Sequence, residues 1–177
     1  MITSGQLHHI MPQAAAERVE MFVQPLDAAM QEFGITTPER AAMFVAQIAH
    51  ESGQLQWLVE LWGPTEAQKG YEGRKDLGDV FPGDGFKFRG RGLLQTTGRA
   101  NYKRVGDALG LDLVDQPDLL SEPMAASRSA GWYWETHHCN ALADRGLFVA
   151  VTKAINGGLN GLEDRETFYA RAKEVLK

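Results

Sequence analysis

Glu51 and Glu60 stand nine residues apart, and two carboxyl groups suffice for concerted acid–base chemistry: one gives a proton to a leaving oxygen while the other takes one from water. Glu51 lies in His50-Glu51-Ser52-Gly53, where an apolar helical pattern runs out. Apolar walls and the negative end of a helix dipole both disfavour an ionised carboxyl there, which suits a general acid; the plainer reading is a solvated glutamate at a helix end. If the helix continued, Glu60 would sit about 13.5 Å further along and about 180° round the axis, unable to share a substrate with Glu51. A break at Ser52-Gly53 removes that obstacle, because glycine takes the left-handed conformation that ends helices. A chain folding back there faces Glu60 across a groove, and carboxyls about 6.5–9.5 Å apart leave room for a water between them. Read by itself, Glu60 is a surface acid, and Glu66, Glu72, Asp76 and Asp79 in the following loops are rival bases.

A second cluster is Gly90 to Tyr102, GRGLLQTTGRANY. Thr97 is a natural cap for the helix that follows, or a hydroxyl aimed at a water or sugar, and Thr96 offers the same group one residue earlier. Between Asp84 and Asp107 lie six basic residues, Lys87, Arg89, Arg91, Arg99, Lys103 and Arg104, and no acid. That patch either binds an anionic polymer or forms a solvated face answering acids elsewhere. Asn156, in Ile155-Asn156-Gly157-Gly158, reads as a helix C-cap or as an amide for a sugar or the attacking water. Arg165 reads most simply as an exposed helical residue beside Glu163 and Asp164.

The elements that must position these groups are mostly helical. Pro12 opens a helix through Phe33, with Val19, Phe22, Leu26, Met30 and Phe33 on one stripe and a kink or split near Val23 from Pro25. Thr37-Pro38-Glu39 starts a second helix that runs to about Glu51 with Ala41, Phe44, Val45 and Ile48 inward. Residues 53–92 form a small strand-and-loop lobe, in which the alternation from Gln54 to Glu60 suggests a short strand. Further helices are expected over 98–109, 122–138, 147–155 and 162–176. Trp57, Trp62 and Tyr71 are candidates for stacking on sugar faces or for core packing.

Composition narrows the class. The 177 residues suit a single domain spanning 1–177, able to bury a full core without metal or disulfide. Lys and Arg number 18 against 23 Asp and Glu, a net charge of −5, which excludes an overall basic nucleic-acid binder. The single cysteine, Cys139, excludes an internal disulfide. The opening MITSGQLHHIMPQ has neither a basic nor an apolar leader region, and Ala41–Ala49 is half the length of a bilayer span. The expectation is a soluble monomer made in the cytoplasm, without stable membrane association.

The order AHESG, LVE, GRGxxQxTGxxNY, a Trp-rich helix, INGG and DRxxFY resembles glycoside hydrolase family nineteen, which holds plant-type chitinases and many phage endolysins. The resemblance covers roughly 38–177, and the close HES…LVE spacing looks like the phage and bacterial branch that acts on peptidoglycan. It implies a lysozyme-like, mainly α fold and an inverting mechanism needing no metal or cofactor. It implies Glu51 as general acid, Glu60 as general base and Thr97 as the hydroxyl that holds the water. His50, Gln95, Asn101, Tyr102 and Asn156 fall at substrate-groove positions, and Arg165 at an arginine that orders the carboxylates. The disulfides and long insertion of plant chitinases are missing, so peptidoglycan glycan strands are the expected substrate and chitin oligomers the alternative. A transglycosylase working with one acid, and a non-catalytic module gripping anionic polymer through Lys87 to Arg104, are further alternatives. On the endolysin reading, the enzyme reaches the periplasm and wall through a phage-encoded pore.

Overall fold

The computed structural model describes residues 1–177. Its helices are α1 Ser4–Ile10, α2 Ala16–Glu32, α3 Pro38–Glu51, α4 Glu66–Lys69, α5 Asp84–Lys87, α6 Arg99–Leu109, α7 Pro123–Thr136, α8 Cys139–Ala143, α9 Phe148–Asn156 and α10 Leu162–Val175, with a 3-10 turn at Pro117–Ser121. The fold is mainly α and lysozyme-like. No helix is long and apolar enough to cross a membrane.

At the centre lies α3. Thr37 accepts the Arg40 amide N–H and Pro38 occupies the first turn, as the Thr-Pro-Glu signature predicts. Every residue from Ala42 to Ala49 is buried, so the helix is wrapped on all sides rather than on one stripe. The last helix, α10, lies along it, α8 and α9 touch it, and α2 packs on α7. In α7, a Cβ at Gly131 would lie 2.3 Å from the Phe33 ring, so glycine lets α2 and α7 approach closely. Phe44 of α3 meets Trp134 of α7 edge-to-face at 5.4 Å. One cluster of 36 buried apolar residues runs through all of this and takes in Leu55, Leu58, Phe88 and Leu93 from the lobe. Each such leucine or phenylalanine contributes about 1.5–3 kcal/mol by burial, so the lobe is fastened to the helical core.

The N-terminal expectation needs correcting. A separate helix, α1, precedes Pro12, closed by a capping box between Thr3 and Gln6. The next helix starts at Ala16 and runs unbroken through Pro25. Met21 is exposed at that turn, so water can reach the carbonyl that Pro25 cannot serve.

The strand expected over Gln54 to Glu60 is absent. Gly53, Gln54 and Leu55 are three successive left-handed residues, with φ of 56°, 59° and 68°. They reverse the chain immediately after α3. Each non-glycine residue there costs about 1–2 kcal/mol, and complete burial of Leu55 with near-complete burial of Leu58 offsets this. The apparent alternation is a turn that buries positions three apart. The only sheet-like pairing is two isolated antiparallel bridges, Val59 with Arg91 and Arg91 with Thr96.

Candidate active site

The reversal pivots on Ser52, which is fully buried. Its hydroxyl donates to the Ile48 carbonyl at 2.7 Å and accepts the Leu55 amide at 2.8 Å, while its carbonyl accepts the Trp57 amide at 2.8 Å. A Cβ at Gly53 would sit 2.6 Å from the Trp57 ring, so this position needs glycine for space as well as for its positive φ. Beyond the turn the chain runs against 90–92: the Gly92 amide donates to Leu58 and the Glu60 amide to Gly90.

Glu51 closes α3 and is half-buried. Its partner is Arg165, whose Nη2 donates to Glu51 Oε1 at 2.5 Å. The Arg165 side chain is fully buried, and its other nitrogens are taken: Nη1 donates to Gln47 Oε1 and Nε to the Asn160 carbonyl. Gln47 is itself fully buried and donates to Thr152. A chain of four side chains from α9, α3 and α10 thus fixes the Glu51 carboxyl and leaves Oε2 without a protein partner. The exposed position read for Arg165 is overturned by this burial, and the wall beside Glu51 is a guanidinium rather than purely apolar.

Glu60 is held differently, by neutral donors. Gln68 Nε2 (2.9 Å) and the Tyr71 hydroxyl (3.2 Å) donate to Oε1, and the Gly90 amide (3.0 Å) donates to Oε2. Burial and the charge of Glu60 hold the Tyr71 phenol above its ordinary pKa, so it stays a donor. The buried Gln68 also closes α4 through a capping box with Thr65. A Cβ at Gly90 would lie 2.6 Å from Gln95 Oε1 and 3.3 Å from both Glu60 Oε2 and Thr97 Oγ1, so three oxygens converge where the glycine leaves space. Each rival acid is engaged elsewhere: Glu66 with Lys69, Glu72 with the Gly83 and Gly85 amides, Asp76 with Arg74 and Asp79 with the Arg99 amide.

A cavity of about 540 Å³ opens beside these groups, lined by Gln95, Thr96, Thr97 and Asn101 on one side and by Trp132 and Tyr133 of α7 on the other. Neither glutamate lines it. Glu60 reaches its wall through the Gln95–Thr97 convergence at Gly90. The Tyr133 phenol in that wall is held above its ordinary pKa chiefly by burial. Glu60 thus reaches the cavity wall from the lobe, and Glu51 stands at the end of α3, outside the lining.

The remaining predicted residues separate. Thr97 is not a helix cap: Gly98, at φ 91°, holds that position, and the Thr97 hydroxyl donates to the Gln95 carbonyl at 3.3 Å. Asn101 donates to the Thr97 carbonyl at 2.8 Å. Gln95, itself left-handed at φ 52°, donates to the Gly92 carbonyl. Asn156 ends α9 with Oδ1 buried and unpaired. His50 instead ties α3 to α10, with Nδ1 2.6 Å from Asp164 Oδ2 and its ring against Gly161. Tyr102 is fully buried, which removes it from direct substrate contact. Its hydroxyl, pushed up to about 12 by burial, donates to the Arg89 carbonyl and accepts from Arg91, bracing the GRG segment.

Sequence reasoning missed Gln47, Gln68, Trp132 and Tyr133. A lone amide inside the apolar run of α3 was the available signal for Gln47; nothing in the local pattern tied Gln68 to Glu60. The basic patch disperses: Arg91 pairs with Asp118, Arg99 with Asp84 and Lys103 with Asp107.

The chitinase class I profile of glycoside hydrolase family 19 matches residues 28–144. A glycosyl hydrolase family 19 domain-containing protein of Haemophilus influenzae is 32% identical over 197 aligned positions, covering 96% of this chain and 94% of that one. An endochitinase of Pisum sativum is 28% identical, covering 80% of this chain and 54% of its own length, and chitinase 11 of Oryza sativa is 38% identical over 57% and 37%. The chain thus spans between 37% and 54% of these two plant chitinases. In fold, it matches chitinase C of Streptomyces griseus with a TM-score of 0.78 at 24% identity, covering 99% of this chain and 76% of that one. A bacterial family 19 chitinase matches with a TM-score of 0.78 at 25% identity, covering 99% and 94%. Profile and Haemophilus relative agree: the chain belongs to glycoside hydrolase family 19 and is a chitinase-like glycosidase.

Proposed function

We propose that this enzyme is an endolysin-type hydrolase that cuts the glycan strands of bacterial peptidoglycan by inversion. In this mechanism Glu51 protonates the glycosidic oxygen from Oε2 while Arg165 holds Oε1. Glu60 takes a proton from a water on the opposite face of the sugar ring, and Thr97, at the same convergence, orients that water. Gln95 and Asn101 bind the sugars, with the Trp132 side of the cavity offering an apolar face. The observation that supports the reading is two separately anchored carboxyls on either side of the Ser52 reversal, with Glu60 beside the Gln95 and Thr97 oxygens of the cavity wall.

For the substrate, the support is the short path between the two glutamates and full-length similarity to a bacterial family member rather than to the longer plant chitinases. Chitin oligomers are the second substrate, favoured by the chitinases among the relatives. Parallel turnover of purified peptidoglycan and chitohexaose tests the choice: peptidoglycan should be cut with the higher kcat/KM, and preference for chitohexaose would reverse it. The same reading places action at the wall after release through a phage-encoded pore. Lysis on expression only with a pore-forming partner is the expected result, and lysis without one would contradict it.

A further inference from the structure

We propose that Arg104 reads a carboxylate carried by the glycan and thereby fits the cavity to an anionic wall polymer. The inference rests on the peptidoglycan reading of this cleft. Asn101, Arg104 and Val105 lie at spacings of three and four on α6, so one helix face presents an amide, a cation and an apolar group to the cavity together. Opposite stands α7 with Trp132 and Tyr133. Arg104 is the one permanently charged residue in the cavity wall, and no carboxylate lines it.

The nearby acids do not answer this cation. Asp84 holds Arg99, Asp107 holds Lys103 and Asp118 holds Arg91. Arg104 makes no ion pair and no side-chain hydrogen bond, and it is exposed. Of the six cations between Asp84 and Asp107, it is the one that both lacks an acid partner and faces the cavity. A guanidinium presents a planar fork that matches a carboxylate with two parallel hydrogen bonds.

A polymer of N-acetylglucosamine offers no carboxylate. In peptidoglycan, alternate sugars carry a lactyl ether whose carboxyl is free or joined to a peptide stem with carboxylates of its own. The shared chemistry is a carboxylate hung from the sugar ring. With a sugar face against Trp132, that substituent falls to Arg104 across the cavity.

The test measures kcat/KM for the wild type, R104Q and R104K on four forms of purified strand: stem-bearing, stripped of stems by an amidase, and each of these with all free carboxyls converted to neutral amides. The wild type should lose roughly tenfold on amidation, the size expected of one exposed charge-assisted contact. R104Q should be nearly indifferent to amidation, and R104K should recover part of the discrimination. Loss in R104Q confined to stem-bearing strands assigns the carboxylate to the peptide; loss on stripped strands assigns it to the lactyl group. Equal sensitivity to amidation in R104Q and wild type on both stem-bearing and stripped strands would overturn the inference while leaving the peptidoglycan reading intact. A wild type that cuts chitohexaose but none of the strands would overturn both.

Discussion

The two glutamates do related work from opposite kinds of support. Glu51 stands on the helical core, and a fully buried guanidinium grips it through a relay that crosses α10, α3 and α9. Glu60 stands on the lobe, and an amide side chain, a phenol and a backbone N–H grip it, without any full charge. Removing one partner of a buried ion pair strands the other charge, at about 3–5 kcal/mol. Removing one neutral donor costs about 0.5–1.5 kcal/mol. The acid side should therefore fail abruptly when damaged, in stability and activity together, whereas the base side should degrade by steps.

The sharpest break in this comparison comes from the carboxyls themselves. E51Q and E60Q should each lower lysis of outer-membrane-permeabilised Gram-negative cells by about 10²–10⁴, read as turbidity loss; E51Q should also lower the melting temperature because it leaves the buried Arg165 charge unpaired, whereas E60Q should lower it less because a glutamine oxygen still accepts part of a neutral donor set. Near wild-type lysis by E51Q would remove it from the acid role. Next is the anchor: R165A should destabilise the fold by about 3–5 kcal/mol in urea titration and abolish lysis, while R165K should recover stability better than activity, since a lysine cannot reproduce the fork shared between Glu51 and Gln47.

Y71F and Q68A should be milder, each lowering kcat by about two- to tenfold with little change in KM. If Y71F were as damaging as E60Q, the stepwise picture of the base side would be wrong. The smallest effect concerns Asp79, whose buried carboxyl is held above its ordinary pKa by desolvation, with one oxygen unpaired. A raised folded pKa contributes stability below the unfolded value that is lost as pH rises through the folded one. D79N should therefore melt slightly higher than wild type at pH 7, with the gap closing toward pH 3. Asp84, held below its ordinary pKa by Arg99, works in the opposite sense, and D84N should cost stability at pH 7.

The same contrast governs what could be read from the residues. The boundaries of α3, α6, α7, α9 and α10 follow from caps, stop glycines and apolar spacing, because those signals are local. The break after Ser52 was legible from its glycine, and so was the need for it. The course of the chain beyond was not: three left-handed residues in a row, two of them Gln54 and Leu55, obey the packing of Leu55 and Leu58 rather than any local preference. Arg165 shows the same limit. Among Glu163, Asp164 and Glu166 it looks like a surface residue, and only the docking of α10 on α3 buries it against Glu51. Tyr102 and Thr97 reversed in the other direction: one of the groove candidates supports the loop from beneath, and the expected cap residue lines the cavity, its hydroxyl donating to the Gln95 carbonyl.

Configuration at the newly freed anomeric carbon tests the pairing of Glu51 and Glu60 most directly. Proton NMR of a β-linked glycan substrate during the first minutes of turnover should show the α-anomer of the product accumulating before mutarotation, the mark of water delivered by one carboxylate opposite to the acid. Initial appearance of the β-anomer, or of a 1,6-anhydro end made without water, would contradict it.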